Sequence, residues 1–240
     1  MVVAIIPARL NSTRFPEKIL AKIQNKPMVV VTAEQVKKCR NVDRLIIAVD
    51  DTRVSKEIAI YNFEVMLTSC EHKTGTDRVC EVAEKLKISD DDIVINIQAD
   101  EPMIKPDVIE GMISKIKSRK CEVVTLCANF TNNSEISEVD VVKVFLNQKK
   151  EVFDFKRSFN QDAENDYQVL KHIGIYGFRY SMLKKFKSLK RTENEINRSL
   201  EQMRLIDNNI DIDILISDDI FVSVDTFEDY QLVKKLISQE

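Results

Sequence analysis

Apolar residues along the chain come in short runs separated by polar loops and helical stripes. Val2 to Ile6 is a continuous apolar run closed by Pro7, the pattern of a strand buried on both faces of a sheet covered by helices. Pro27 opens a segment with Met28, Val31, Gln35 and Val36 at helical spacing, which predicts a helix over 27–39. Arg44 to Val49 reads as a second buried strand, 53–60 as a short helix and Phe63 to Leu67 as a third strand. Val79, Val82, Ala83 and Leu86 then form an i, i+3, i+4, i+7 stripe, predicting a helix over 76–87 capped by Thr76 or Asp77. Asp92 to Gln98 is another apolar strand, broken by Ala99-Asp100-Glu101-Pro102, and Pro106 starts a further helix.

Such alternation from residue 2 to about 127 predicts repeated βαβ units, hence an α/β fold with a doubly wound, mostly parallel, Rossmann-like sheet. Ligands in such sheets sit beyond the carboxyl ends of strands. After about 128 the rhythm loosens. Strands are expected at 141–146, 152–155 and 173–178, around a polar stretch at 160–166, then helices at 180–187 and 195–206. A strand pair at 211–216 and 220–224 and a last helix from Thr226, with a Thr226-x-x-Asp229 capping spacing, close the chain. The expected organisation is one domain: a core over about 1–128, a smaller α+β lobe over about 129–210, and a return to the core over about 211–240.

Composition narrows the chemistry. With 240 residues and a net charge of -3, the chain has no basic excess for neutralising nucleic-acid phosphates. No apolar run approaches a membrane span, and no secretory leader precedes Val2, so a cytoplasmic protein with no membrane partner is expected. Five irregularly spaced cysteines and two histidines read as buried reduced thiols rather than a zinc site. Only four glycines occur, and neither GxGxxG nor GxxxxGK[ST] is present, so a nucleotide's phosphates would have to be held by side chains.

The loop PARLNSTRFPEK after the first strand places Arg9, Arg14 and Lys18 within ten residues, beside the hydroxyls of Ser12 and Thr13. Arginine forks and a lysine point charge suit a triphosphate, although a solvated basic loop has the same composition. Asp100 and Asp225 each follow an expected strand and together could share a Mg2+ ion, or could merely form a turn and a helix cap. Thr74-Gly75-Thr76-Asp77-Arg78 joins a rare glycine to a helix start, where backbone amides could approach a base or sugar. His172 precedes a strand, where a structural histidine is common, and His72 reads as a surface residue.

Together these segments resemble the sugar-activating cytidylyltransferases, in particular the CMP-Kdo synthetase family (Kdo, 3-deoxy-D-manno-octulosonate). The resemblance runs almost end to end, through IIPARLNSTRFPEK, NKPM, TGTDR, INIQADEPMI, VVKVF, HIGIYGFR, LEQMRLI and VDTFED. It implies a nucleotidyltransferase fold and Mg2+-dependent transfer of CMP from CTP to Kdo, releasing pyrophosphate, for lipopolysaccharide synthesis. By the same resemblance Lys18, Arg9 and Asp100 are catalytic. Ala8, Arg9, Ser12, Arg14, Lys18, Gly75, Thr76, Asp77 and Arg78 bind the nucleotide, and Asp100 and Asp225 bind the metal. Gln98, Arg157, His172, Tyr176, Glu201 and Gln202 bind the sugar, and the lobe forms a homodimer interface. The loop departs from the family's STRLPGK at Phe15 and Glu17, and Ala99 stands where QGDEP has glycine. The segment KRSFNQDAEND after Arg157 lacks the usual Ser-x-Ile-Pro, which admits an 8-amino Kdo analogue or another keto-sugar acid as the acceptor. A non-catalytic binding protein of the same fold would be expected to lose a phosphate cation or a metal carboxylate.

Overall fold

The computed structural model describes residues 1–12, 14–118, 121–159 and 167–239. Thr13 and the polar stretch 160–166 lie outside them. The elements run β1 (Val2–Ala8), β2 (Lys22–Ile23), β3 (Lys26–Pro27), α1 (Met28–Lys37), β4 (Arg44–Val49), α2 (Thr52–Ile58), β5 (Glu64–Leu67), α3 (Gly75–Leu86), β6 (Ile93–Asn96) and α4 (Pro106–Lys117). There follow β7 (Val123–Ala128), α5 (Asn133–Ser137), β8 (Lys143–Leu146), β9 (Val152–Lys156), β10 (Gln168–Arg179), α6 (Tyr180–Ser188), α7 (Glu193–Arg198), α8 (Met203–Ile206), β11 (Asp213–Ser217) and α9 (Phe227–Ile237).

One sheet carries the architecture, in the order β11-β7-β10-β6-β1-β4-β5. β5, β4, β1 and β6 are mutually parallel, as are β7 and β11, and β10 is the antiparallel insert between β6 and β7. β10 is long because it serves two neighbourhoods. Its carboxyl-terminal half lies inside the main sheet, and its amino-terminal half pairs with β8, which carries the hairpin partner β9. The α+β segment is thus continuous with the main sheet.

Strand alternation divides the core into two layers. Val2, Ala4, Ile6 and Ala8 of β1 face the layer packed with α1 and α4, whereas Val3 and Ile5 face the layer packed with α3 and α6. Both faces are dry, which is why β1 reads as an unbroken apolar run. At the tightest crossing a side chain is excluded: a Cβ on Gly177 of β10 would lie 2.7 Å from Ile116 Cδ1 of α4 and 2.9 Å from Val124 Cγ1 of β7. Thr74 and Thr226 cap α3 and α9 through the amides of Asp77 and Asp229, the second as a full capping box.

Several sequence expectations are corrected. The helix over 195–206 is two short helices, because Ser199 between them takes a left-handed φ of 54° and folds α8 back so that Glu195 meets Arg204. Residues 220–224 form no strand; the amide of Val224 instead bonds the carbonyl of Asp100, tying this segment to the loop after β6. Of the cysteines, Cys39, Cys80 and Cys127 are buried free thiols, but Cys70 is exposed. No helix among the described residues is long and apolar enough to cross a membrane.

Candidate active site

Two clefts open along the carboxyl ends of β1 and β6. The first, about 460 Å³, is lined by Arg9, Ser12, Arg14 and Lys18 of the loop after β1, by Thr74, Gly75 and Arg78 at the start of α3, and by Arg191 and Glu201 from beyond β10. The second, about 600 Å³, is lined by Arg157, Lys171, His172 and Gly174 together with Glu101, Asp140 and Ser223. Arg14, Gln98, Asp100 and Asp225 line both, so the clefts meet at these four residues.

Lys18 stands at the junction. Its Nζ lies 2.5 Å from Asp100 Oδ2 and 2.9 Å from Asp225 Oδ1, and it donates to the Val224 carbonyl at 2.9 Å. Burial works against its charge, but Asp100 and Asp225 outweigh burial and raise its pKa, so the ammonium is retained. Arg14 adds a second cation, with Nη2 3.0 Å from Asp225 and Nη1 2.8 Å from Asp140. Two carboxylate oxygens from separate loops therefore converge on one cationic point. Among the described residues no cluster of three or more His, Cys, Asp or Glu is poised to hold a metal. A pair of carboxylates matches a hard ion that completes its shell with water and phosphate oxygens. Beside them Glu101 is buried; burial and then the Asp100 charge push its pKa up to about 8, and it accepts the Ser223 hydroxyl.

The loop after β1 is held from beneath. Asp50, at the end of β4, accepts the Leu10 amide at 3.0 Å on one oxygen and Arg78 Nη2 at 3.0 Å on the other. Arg78 is 3% exposed and also donates to Thr68 and Ser69, so most of its guanidinium is spent on buttressing this loop. Phe15 packs on Phe227 and Tyr230 of α9. Glu17 adopts the left-handed region (φ 54°) and turns toward Arg53, 3.4 Å away, with 57% of its side chain exposed. Ala99 is absent from the positive-φ residues, so alanine sits there without backbone strain.

At the start of α3 the Thr76 hydroxyl meets Glu201 at 2.5 Å and accepts from Asn96 at 3.1 Å. Burial raises the Glu201 pKa against those hydrogen bonds. A Cβ on Gly75 would lie 3.4 Å from Gln98 Oε1, an ordinary contact, so the helix start sits directly beside the glutamine. Gln98 donates to the carbonyl of Gly174 at 3.2 Å, which places it across both clefts.

In the second cleft, Arg157 Nη1 faces the carbonyls of Val139 and Asp140 at 3.4 and 3.3 Å. His172 Nε2 lies 3.0 Å from the Thr125 hydroxyl, which donates its own proton to the Ile175 carbonyl at 2.9 Å. The hydroxyl must therefore accept from Nε2–H, leaving Nδ1 as an acceptor. Burial, aided by Arg157, lowers the His172 pKa to about 3 and keeps the ring neutral. Behind His172 and Glu201, the Tyr176 hydroxyl and the Gln202 amide nitrogen are buried with no hydrogen-bond partner among the described residues. Native interiors seldom leave such groups unpaired without a functional reason.

The structure gathers most of the residues singled out in the sequence and separates others. Arg9, Ser12, Arg14, Lys18, Gly75, Arg78, Gln98, Asp100, Glu201 and Asp225 line the first cleft, and Arg157 and His172 line the second. Glu201, grouped with the sugar residues by resemblance, faces the first cleft. Ala8, Thr76, Asp77, Tyr176 and Gln202 line neither; Ala8 is fully buried, and Asp77 lies 3.7 Å from Arg204. His72 is a cleft residue rather than a surface one, 2.5 Å from Glu81. Sequence reasoning missed Arg191. Its Nε lies 2.8 Å from Glu195, which is 1% exposed and itself paired at 2.6 Å with Arg204, whose guanidinium lies over Phe186. The i, i+4 spacing of Arg191 and Glu195 was the available signal.

A protein-family model described as cytidylyltransferase matches residues 3–212. The 3-deoxy-manno-octulosonate cytidylyltransferase of Syntrophobacter fumaroxidans is 35% identical over 244 residues, covering 100% of this chain and 98% of its own. That of Thermodesulfovibrio yellowstonii is 32% identical over 99% of this chain and 98% of its own. Among solved structures, a CMP:2-keto-3-deoxy-manno-octonic acid synthetase complexed with CTP superposes with a TM-score of 0.89 at 33% identity, covering 99% of this chain and 98% of that one. A cytidylyltransferase of Leptospira borgpetersenii shares the fold at a TM-score of 0.69 and 18% identity, over 100% of this chain and 87% of that one. From end to end, then, the chain belongs to the cytidylyltransferases, and among them to the 3-deoxy-manno-octulosonate cytidylyltransferase family.

Proposed function

We propose that the chain transfers CMP from CTP to the anomeric hydroxyl of Kdo, releasing pyrophosphate, with Mg2+ held by Asp100 and Asp225. The observation that carries this reading is the junction: Lys18, Arg14, Asp100 and Asp225 lie where a cationic cleft and a polar, mostly acidic cleft meet. CTP in the first cleft would draw Lys18, Arg14 and Arg9 from carboxylate partners or solvent onto phosphate oxygens. The Mg2+ ion would neutralise the phosphates and orient them, using the two carboxylates freed by that exchange.

The protein's remaining work is positioning. An acceptor in the second cleft would set its carboxylate against Arg157 and a hydroxyl against His172 Nδ1, bringing its anomeric oxygen toward the α-phosphorus at the junction. The hydroxyl oxygen forms a bond to phosphorus and gives up its proton to water as the bond to pyrophosphate breaks, and no covalent enzyme intermediate is needed. A second reading, an 8-amino Kdo analogue, is favoured by the acidic lining of the second cleft, where Glu138 and Asp140 would attract an ammonium group.

The test is pyrophosphate release from CTP and Mg2+ with Kdo, its 8-amino analogue and sialic acid. Release with Kdo that disappears in Asp100→Ala is the expected result. Release with the amino analogue alone selects the second reading, and CTP binding without turnover of any acceptor overturns both.

A further inference from the structure

Lys143 opens β8 and is fully buried, yet its ammonium has no carboxylate in ion-pair contact among the described residues. Its three donors go to backbone carbonyls instead: Glu138 at 2.5 Å, Val141 at 2.8 Å and Arg157 at 2.7 Å. A buried ammonium is expensive unless every donor is met, and here the count closes. Burial nevertheless pushes its pKa down, with Glu138 pulling the other way.

The three carbonyls belong to two stretches of chain, the segment 138–141 and the end of β9. Arg157 grips the same segment from its other side, through the carbonyls of Val139 and Asp140. Asp140 in turn holds Arg14 of the nucleotide loop. The segment is therefore clamped between a buried ammonium and the guanidinium that lines the second cleft.

We infer that Lys143 is a positioning residue for the acceptor sugar, acting through Arg157. This rests on the proposed reading in which Arg157 meets the acceptor's carboxylate. Without the ammonium, three carbonyls lose their donor, the segment moves toward water, and Arg157 loses both its backbone anchor and the surface against which its side chain is set. Ordering the guanidinium then falls to the incoming acceptor and weakens its binding. CTP binding changes little, because among the described residues the ion pair that links this segment to the nucleotide loop is the exposed Arg14–Asp140 contact.

The test uses Lys143→Met, Lys143→Gln, Arg157→Ala and the double variant Lys143→Met/Arg157→Ala in the full chain. Lys143→Met is expected to raise the KM for the acceptor about 10- to 100-fold, with kcat and the calorimetric Kd for CTP changed no more than about threefold. Lys143→Gln, which retains two donors, falls between it and wild type and carries the test if the methionine variant does not fold. In the Arg157→Ala background, Lys143→Met is expected to add less than about twofold. Equal losses for CTP and acceptor, or an undiminished effect in the double variant, overturn the inference. If the wild type binds CTP but uses no acceptor, the functional reading fails separately. Amide exchange over 138–142 then decides the contact: faster exchange in Lys143→Met supports it, and unchanged protection overturns it.

Discussion

The two clefts share a junction but differ in electrical character. The first carries Arg9, Arg14, Lys18, Lys73, Arg78 and Arg191 against Asp100, Glu195, Glu201 and Asp225. The second carries Arg14, Arg157 and Lys171 against Asp100, Glu135, Glu138, Asp140, Asp225 and Asp229, with the buried Glu101 held protonated. A polyanion is drawn to the first and repelled from the second; a molecule with many hydroxyls finds acceptors in the second. The difference also lies in how each is built. Arg78, Asp50 and the Glu195–Arg204 pair fix the first cleft through charged contacts, whereas backbone carbonyls and a neutral histidine fix much of the second.

The comparison breaks most sharply at Lys18. Lys18→Met removes the ammonium on which Asp100 and Asp225 converge, and kcat/KM for the transfer is expected to fall about 100- to 1,000-fold. Steady-state pyrophosphate release measures it. A fall confined to the KM of the acceptor would assign Lys18 to the second cleft instead.

Next in size is the wall of the first cleft. Glu195 and Arg204 are 1% and 3% exposed, so Arg204→Leu leaves the buried carboxylate with Arg191 alone and is expected to cost about 2–4 kcal/mol in urea denaturation. The double variant Glu195→Leu/Arg204→Leu removes both charges and should recover most of that loss. Failure to recover would mean that Arg204 matters through its packing on Phe186.

His172 sharpens the contrast through pH. Its folded pKa of about 3 lies below the ordinary 6.5, so the unfolded chain binds the proton more readily. Its neutral form stabilises the fold fully above pH 6.5, and that contribution is lost as pH falls from 6.5 toward 3. By pH 5 the loss is on the order of 2 kcal/mol. Chemical denaturation of wild type and His172→Asn between pH 7 and pH 5 should show a shallower slope in the variant; parallel slopes would mean that the folded ring takes up its proton at the same pH as the unfolded one.

The first half of the chain was far more legible than the second. β1, β4, β6 and α3 announce themselves because strands buried on both faces need unbroken apolar runs, and a helix with one wet face needs a 3.6-residue stripe. Arg14, Lys18 and Asp100 were legible as candidates because they follow β1 and β6, whereas Asp225 was singled out behind a strand at 220–224 that does not form. What stayed hidden depends on long-range partners. The break at Ser199 exists to bring Glu195 to Arg204, and Lys143 meets carbonyls whose positions no local pattern records. Val224 reads as strand by composition, yet its amide is claimed by the Asp100 carbonyl. β10 was placed five residues late because the half that pairs with β8, from Gln168, begins in a mixed polar run.

The smallest effect tests whether the loop of the first cleft carries strain that its chemistry does not use. Glu17 holds φ 54° and ψ 24°, a region in which a Cβ crowds the following carbonyl. Its carboxylate offers little in return, because the contact with Arg53 is 3.4 Å long and exposed. Glycine removes the steric penalty but gives the unfolded chain more freedom, so the two terms partly cancel. Since the native φ is positive, the steric term is the larger, and Glu17→Gly should stabilise the fold by about 1 kcal/mol, read as a higher urea midpoint at unchanged m. Turnover should stay within about twofold, because Lys18 keeps its partners on Asp100 and Asp225. A stabilised variant with a much higher KM for CTP would show instead that the left-handed turn at Glu17 presses Lys18 toward the junction.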